Sequence, residues 1–351
     1  MAAESGAGET PKSQLSSLLD QCENLDEFHA QADADAVRLL QWHNILVLVA
    51  TVFGYGAVLF AIWQLTGAPW PGALFVGGLE FLFAIATTIA VLSGLWAAVD
   101  RRWRLRRFQA EAAKFVKYNF LLNKGTVNSA GKHLDMDKML SRLAELQPSS
   151  VKAWIRGELD VLELENFQVQ NSDAEGWTDE ELLELEKHYV AHRLEPQRRY
   201  FDSGAKWRYR WEHYTKMLAH WCFFVSVIAA CAHFWWDEII KHFFHIEMEP
   251  VFGDHAAEGH ALDIISFSLL LLAACLPVIG AAMRNFRSAN EFGRNENRYC
   301  ALHNDLTKLA RELAKTESPQ QKLNCMFRVE EALEYEHRSW QRLMVEAEWF
   351  G

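Results

Sequence analysis

Four apolar runs stand out along the chain, and they come in two pairs. Ile45–Leu65 and Ala73–Val99 make the first pair, Met217–Trp236 and Leu262–Met283 the second. Each run is long enough to cross a bilayer core, which takes about 20 apolar residues in a helix. None alternates with the period of a strand, and lipid admits only helices or closed barrels. The pattern therefore predicts an all-α membrane protein, with four transmembrane helices arranged as two hairpins and long cytoplasmic helices attached to them.

Between and around the runs the period is helical. Pro69 and Pro71 with flanking glycines predict a tight turn over residues 66–72. After span two the helix is expected to continue uninterrupted, with Leu105, Phe108, Ala112, Phe115, Asn119 and Leu122 on one face, and to end within 123–131. Residues 132–196 read as a soluble helical region. It holds a helix over Val151–Phe167, a loop at 171–176, and a Thr178 to Glu181 capping box that opens a helix breaking or bending at Pro196. Tyr200, Gly204, Trp207, Trp211, Tyr214 and Leu218 form a stripe leading into span three. Tyr299, Leu302, Leu306, Leu309 and Leu313 form another beyond span four. The stripes predict an antiparallel cytoplasmic stalk, with Tyr200, Trp207, Trp211 and Tyr214 as its contacts. The domain plan is a disordered tail over 1–26, a first hairpin with flanking helices over 27–131, the soluble region over 132–196, a second hairpin with long helices over 197–317, and a C-terminal helix within 318–351. The halves match in layout as a parallel repeat.

Charge orients this plan. The chain carries a net charge of −11, unevenly spread. Arg101, Arg102, Arg104, Arg106 and Arg107 follow span two, and Arg284 and Arg287 follow span four. The segment between spans three and four is acidic. The positive-inside bias places both termini in the cytoplasm and both hairpin tips outside. At span ends these arginines read as contacts to lipid headgroups rather than to nucleic acid. The six cysteines show no CxxC spacing, which argues against a disulfide scaffold or zinc module.

Several stretches resemble the SLATT-type bacterial membrane effectors, named for association with SMODS nucleotidyltransferases and SLOG nucleotide sensors. They are Glu195-Pro-Gln-Arg-Arg-Tyr200, Leu276-Pro-Val-Ile-Gly-Ala-Ala282, Arg287-Ser-Ala-Asn-Glu-Phe292, Ala32-Asp-Ala-Asp-Ala-Val37, Trp103–Ala112 and Val329–Trp340. The resemblance covers most of the chain beyond residue 28. It implies a membrane effector of the bacterial inner membrane, pore-forming and triggered by a nucleotide sensor in a conflict system such as antiphage defence. Unlike the sensor-fused versions, this chain has no Gly-rich phosphate loop, so such a signal is expected from a partner protein or from a site in the middle region.

Candidate chemistry is sparse. Glu80 is the charged residue of the first hairpin, read either as a pore or proton-path group or as a residue at the outer interface. Thr87 and Thr88 either line a polar path or pack within the helix. Pro277 predicts a kink, which is one way to build a gate. His242 and His245 are one turn apart and weak candidates for a shared metal, against the reading of a solvated acidic loop. No nucleophile–base arrangement, cofactor motif or paired-acid signature stands out, so no enzyme activity and no cofactor are expected. The leading functional expectation is a homo-oligomeric pore or channel-type effector gated by a cytoplasmic signal. A membrane scaffold or sensor subunit that recruits a cytoplasmic partner is the second reading, and a small transporter the third.

Overall fold

The computed structural model of the chain describes residues 13–65, 73–124, 135–158, 177–236, 257–290 and 292–346. It is all-helical, with four long apolar helices that could cross a membrane, packed as helix pairs. In chain order the helices are α1 (Gln14–Gln21), α2 (Glu23–Leu65), α3 (Ala73–Ala97), α4 (Val99–Leu122), α5 (Met136–Glu145), α6 (Pro148–Ile155), α7 (Asp179–Tyr189), α8 (Glu195–Phe234), α9 (Ala257–Asn290), α10 (Phe292–Lys315) and α11 (Pro319–Glu346). The hairpin turn at 66–72, the loop at 171–176, and His242 and His245 lie outside the described residues.

Two helices organise the molecule. α2 has 43 residues and α8 has 40, which is about 60 Å or more at about 1.5 Å per residue. A bilayer core takes up about half of that, so each continues well beyond its apolar half. α3 pairs with α2, α9 pairs with α8, and the two hairpins meet where α2 touches α9. The hairpins carry their apolar side chains on the outside: Phe75, Phe81, Leu82, Trp96, Trp221, Phe223 and Trp235 are all exposed. An apolar shell of this extent belongs against lipid rather than water. These are the features of a multi-pass helical membrane protein.

The charged helices form a bundle with an ordinary core. α4 is its centre, buried nearly all round from Phe108 to Leu122. α1, α5, α6, α7, the start of α8, α10 and α11 pack around it. The stripe Tyr299, Leu302, Leu306, Leu309 and Leu313 is the buried face of α10.

Four expectations are corrected. Residues 14–26 are helical rather than disordered: Ser13 caps α1 through Ser16, and Leu15, Leu18, Cys22 and Leu25 are buried in the bundle core. The helix after span two is interrupted, because Ala98 adopts φ 45°, ψ 40°. A single left-handed residue redirects the chain without a loop. The helix begun at Pro148 ends at Ile155 instead of Phe167. Gly157, at φ 76°, takes the left-handed position of a Schellman stop, with Gly157 N–H donating to Trp154 O and Glu158 N–H to Ala153 O. The helix does not break at Pro196. A π-helical turn, Val190–Leu194, joins α7 to α8. Pro196 is the second residue of α8, directly after this π-helical turn. The Thr178–Glu181 capping box forms with both reciprocal bonds, at 3.3 and 3.0 Å.

Candidate functional site

A cavity of about 440 Å³ lies where the bundle meets the apolar hairpins. Its walls come from six helices, α9 through Asn290 alone, and the π-helical turn. α2 contributes one face from Asp33 to Val47, α4 contributes Trp103, Arg107 and Glu111, and α8 contributes Tyr200 to Arg208. Asn295 and Tyr299 of α10 and Glu336, His337 and Trp340 of α11 close it. α2 and α8 run from this cavity into the apolar hairpins without a break.

The cavity is charged, and the charges are mostly matched. Arg107 donates to Asp33 at 2.8 Å and to Glu111 at 2.6 Å. Arg298 pairs with Glu336 at 2.8 Å. Arg193 makes a buried fork on Glu330, Nε to Oε1 at 2.9 Å and Nη2 to Oε2 at 2.7 Å, and Tyr189 donates to the same carboxylate at 2.7 Å. The π-helical turn delivers Arg193 to this position. Such turns concentrate at functional sites. Arg208 makes no ion pair within 4 Å among the described residues, although its charge acts on the Glu336 carboxyl. It lies 4.0 Å over the Tyr299 ring, donating to Tyr299 Oη and to Gly204 O.

Burial sets the titration of two groups. It pushes the Glu336 carboxyl up to about 7 against the pull of Arg298, and it pushes His337 down to about 4. Glu111 behaves differently: burial works to raise it, yet Arg107 and Lys114 hold it well below the usual carboxylate range.

Three polar atoms of residues that line the cavity are closed off from it and have no hydrogen-bond partner among the described residues: Arg193 Nη1, Asn295 Oδ1 and His337 Nε2. Arg193 is 3 % exposed and Asn295 6 %. Arg193 lies 5.0 Å over the Tyr118 ring; elsewhere on the cavity Trp103 is edge-on to Trp340 at 5.4 Å and His337 stacks on Trp340 at 5.9 Å.

The residues singled out in the sequence do not converge here as a group. Glu80 lies near the tip of the first hairpin and accepts from Gln64 Nε2 at 2.7 Å. The hydroxyls of Thr87 and Thr88 donate to Phe83 O and Ala84 O of their own helix, at 3.0 and 2.9 Å. Thr87 packs against Gly54 of α2, whereas Thr88 is exposed. Pro277 sits within α9, exposed on its outer side. Lacking an N–H, it leaves Ala273 O without its helical donor, and Ser226 of α8 supplies one across the seam at 2.8 Å.

Arg101, Arg102 and Arg284 are exposed. Arg104, Arg106, Arg107 and Arg287 engage protein carboxylates instead: Asp100 at 2.7 Å, Asp35 at 3.7 Å, Asp33 with Glu111, and Glu212 at 3.5 Å. Tyr200, Trp207 and Trp211 do meet the α9–α10 side. Tyr200 Oη is 3.2 Å from Tyr299 Oη, and Trp207 and Trp211 pack on Phe292. Tyr214 is 65 % exposed. The more deeply buried face of α8 is Phe201, Ala205, Thr215, Ala219, Cys222, Ser226 and Ala229, one position round from the aromatic stripe.

Sequence reasoning missed Arg193, Arg208, Asn295, Glu330, Glu336 and His337. The signal for Glu330 and His337 was polarity on the inner positions of an otherwise amphipathic α11. No known protein family, curated protein or solved structure matches the chain.

Proposed function

We propose that the protein is a non-enzymatic membrane effector of the pore or channel type, in which the charged bundle senses a signal and the hairpins respond. The bundle would lie in the cytoplasm with both termini, as the arginine distribution favours, and the resemblance to SLATT-type effectors points the same way. One observation carries the reading. α2 and α8 each form a wall of the charged cavity and continue unbroken into an apolar hairpin. A change that favours one cavity arrangement shifts both hairpins through two rigid helices, which is a population shift with a physical lever.

Within one chain the hairpins are apolar outside and closely packed inside, so conduction on this reading belongs to a homo-oligomer. Expression in cells with a membrane-potential dye tests it. The intact chain depolarises the membrane on stimulation, and a chain truncated before α10 does not. No depolarisation under any stimulus removes the pore and leaves the scaffold reading, in which the bundle surface recruits a partner protein.

A further inference from the structure

The cavity is graded along the helices that line it. Its floor, inside the bundle, is charged and holds Asp33, Arg107, Glu111 and Glu336. Its end nearer the hairpins is apolar and aromatic, with Leu40 and Val47 of α2, Trp103 of α4 and Phe292 of α10. α2 fixes the direction, because its lining side chains run from Asp33 to Val47, where its apolar run has begun. α4 runs the other way, with Trp103 nearest its hairpin and Glu111 farthest from it. The rim is open: Val37, Tyr200 and Trp207 line the cavity and are exposed. Beyond Val47, α2 exposes Leu48 and Val52, which belong to the lipid-facing surface of the first hairpin. A polar floor in the bundle and an apolar mouth towards the hairpins match a phospholipid of the leaflet on the bundle's side, with its head in the protein and its chains in the bilayer.

Charge narrows the headgroup. The lining carries three acids, Asp33, Glu111 and Glu336, and three arginines, Arg107, Arg193 and Arg208. A balanced lining gives an anionic head no net attraction, and it suits a zwitterion whose two charges meet opposite partners. Arg208 is the lining charge of α8 nearest the span. It lies over the Tyr299 ring and donates to its hydroxyl, and a guanidinium fork suits a phosphate. Asp33 lies at the floor. It accepts from Arg107 at 2.8 Å, yet its side chain is 37 % exposed and can take a second donor. Arg107 lies in the field of Tyr299, the ring that Arg208 covers, so the two charges share one end of the cavity. A primary ammonium keeps N–H donors for Asp33, whereas a quaternary one has none.

We propose that the cavity is a site for one zwitterionic phospholipid of the phosphatidylethanolamine class, with its phosphate on Arg208, its ammonium on Asp33 and a chain between α2 and Trp207. Lipid selectivity is read without ion flux, so this site and the pore reading fail separately.

The test is native mass spectrometry of the full chain released from detergent micelles, titrated with phosphatidylethanolamine, phosphatidylcholine or phosphatidylglycerol of identical chains. One phosphatidylethanolamine is expected per chain, with a Kd at least about fivefold below that of either other lipid. Glycerophosphoethanolamine, the same head without chains, binds at least about tenfold more weakly than the whole lipid. Arg208→Ala and Asp33→Asn each erase the headgroup preference, and Leu40→Trp, which fills the path of the chain, weakens phosphatidylethanolamine while both charges remain. Equal Kd values for the three lipids on the unchanged chain overturn the proposal without any variant, as does a preference for phosphatidylglycerol or phosphatidylcholine. Binding of the bare head as tight as that of the whole lipid also overturns it, and so does a preference that survives both charge variants in chains that melt as the wild type does.

Discussion

The two halves of the chain share a plan and differ in what fills it. Each has a leading helix of 40 residues or more, an apolar returning helix and a charged helix of 24 residues. The first hairpin is closed by rings. Phe53 and Phe60 meet Phe83 at 4.7 and 5.2 Å, and Gly56 lies beneath that ring. The second is closed by small residues and hydroxyls. A Cβ added at Gly280 would lie 3.4 Å from Ala219 O and Cys222 Cβ, and Ser226 reaches Ala273 O. The charged helices diverge further, since α4 is buried nearly all round and α10 on one face. A common layout therefore does not impose a common role. Moving α4 means unpacking a core at several kcal/mol per large side chain. Moving α10 disturbs a single seam, and that seam borders the cavity.

The largest expected effect is at the bundle's buried ion pair. Glu330→Ala strands the Arg193 guanidinium and removes the nearer of the two acceptors of Tyr189, leaving Met326 O. It is expected to cost about 3–5 kcal/mol in a denaturant melt, and a loss below about 1 kcal/mol would contradict the pairing.

Next come the hairpin seams. A Cβ at Gly56 collides with the Phe83 ring, whereas one at Gly280 meets neighbours at 3.4 Å. Gly56→Ala is expected to cost about 1–3 kcal/mol and Gly280→Ala less. Equal costs would erase the distinction between an aromatic and a small-residue seam.

Ser226→Ala follows, at about 0.6–1.7 kcal/mol, the scale of hydrogen bonds between membrane helices. The penalty should shrink once Pro277→Ala has restored an amide donor for Ala273 O. A double-mutant cycle without coupling would show that Ser226 does not compensate for the proline.

The pH dependence of the bundle is the smallest test, because Glu336→Gln also deprives Arg298 of its carboxylate. Glu336, raised from 4.5 to about 7, keeps its proton in the folded chain where the unfolded chain has released it. Its stabilising share is full below about 4.5 and is lost as pH rises to about 7. His337, lowered from 6.5 to about 4, has the opposite sign and costs stability as pH falls through that window. The difference between wild type and Glu336→Gln should shift in favour of the variant as pH climbs from about 5 to 7. A flat difference would show that Glu336 is not held protonated by burial.

The sequence revealed the frame better than the site. Four apolar runs, the capping box at Thr178 and the face of α10 were readable because each rests on local period or a local bond. The all-round burial of α4 was not, since a charged helix with one good stripe gives no sign that partners will cover its other sides. The arginines misled for a related reason. Arg104, Arg106 and Arg107 follow a span in the chain, yet each meets an acid, Asp100, Asp35 and Asp33 with Glu111. Two of those acids precede span one, a pairing that exists only after folding. The cavity is assembled from residues as distant as Asp33 and Met344, so no window of sequence contains it. Ala98 was hidden because nothing in an alanine announces a positive φ.

The central claim is that the cavity-bearing bundle and the hairpins work as one unit. Ion flux through liposomes holding the purified chain tests it most directly, with Glu330→Ala measured beside the intact protein, each with and without a small-molecule extract of the host cells as stimulus. A stimulated flux is predicted for the intact chain and its loss in Glu330→Ala. Liposomes that stay closed in every case, or that conduct identically for both proteins, would contradict it.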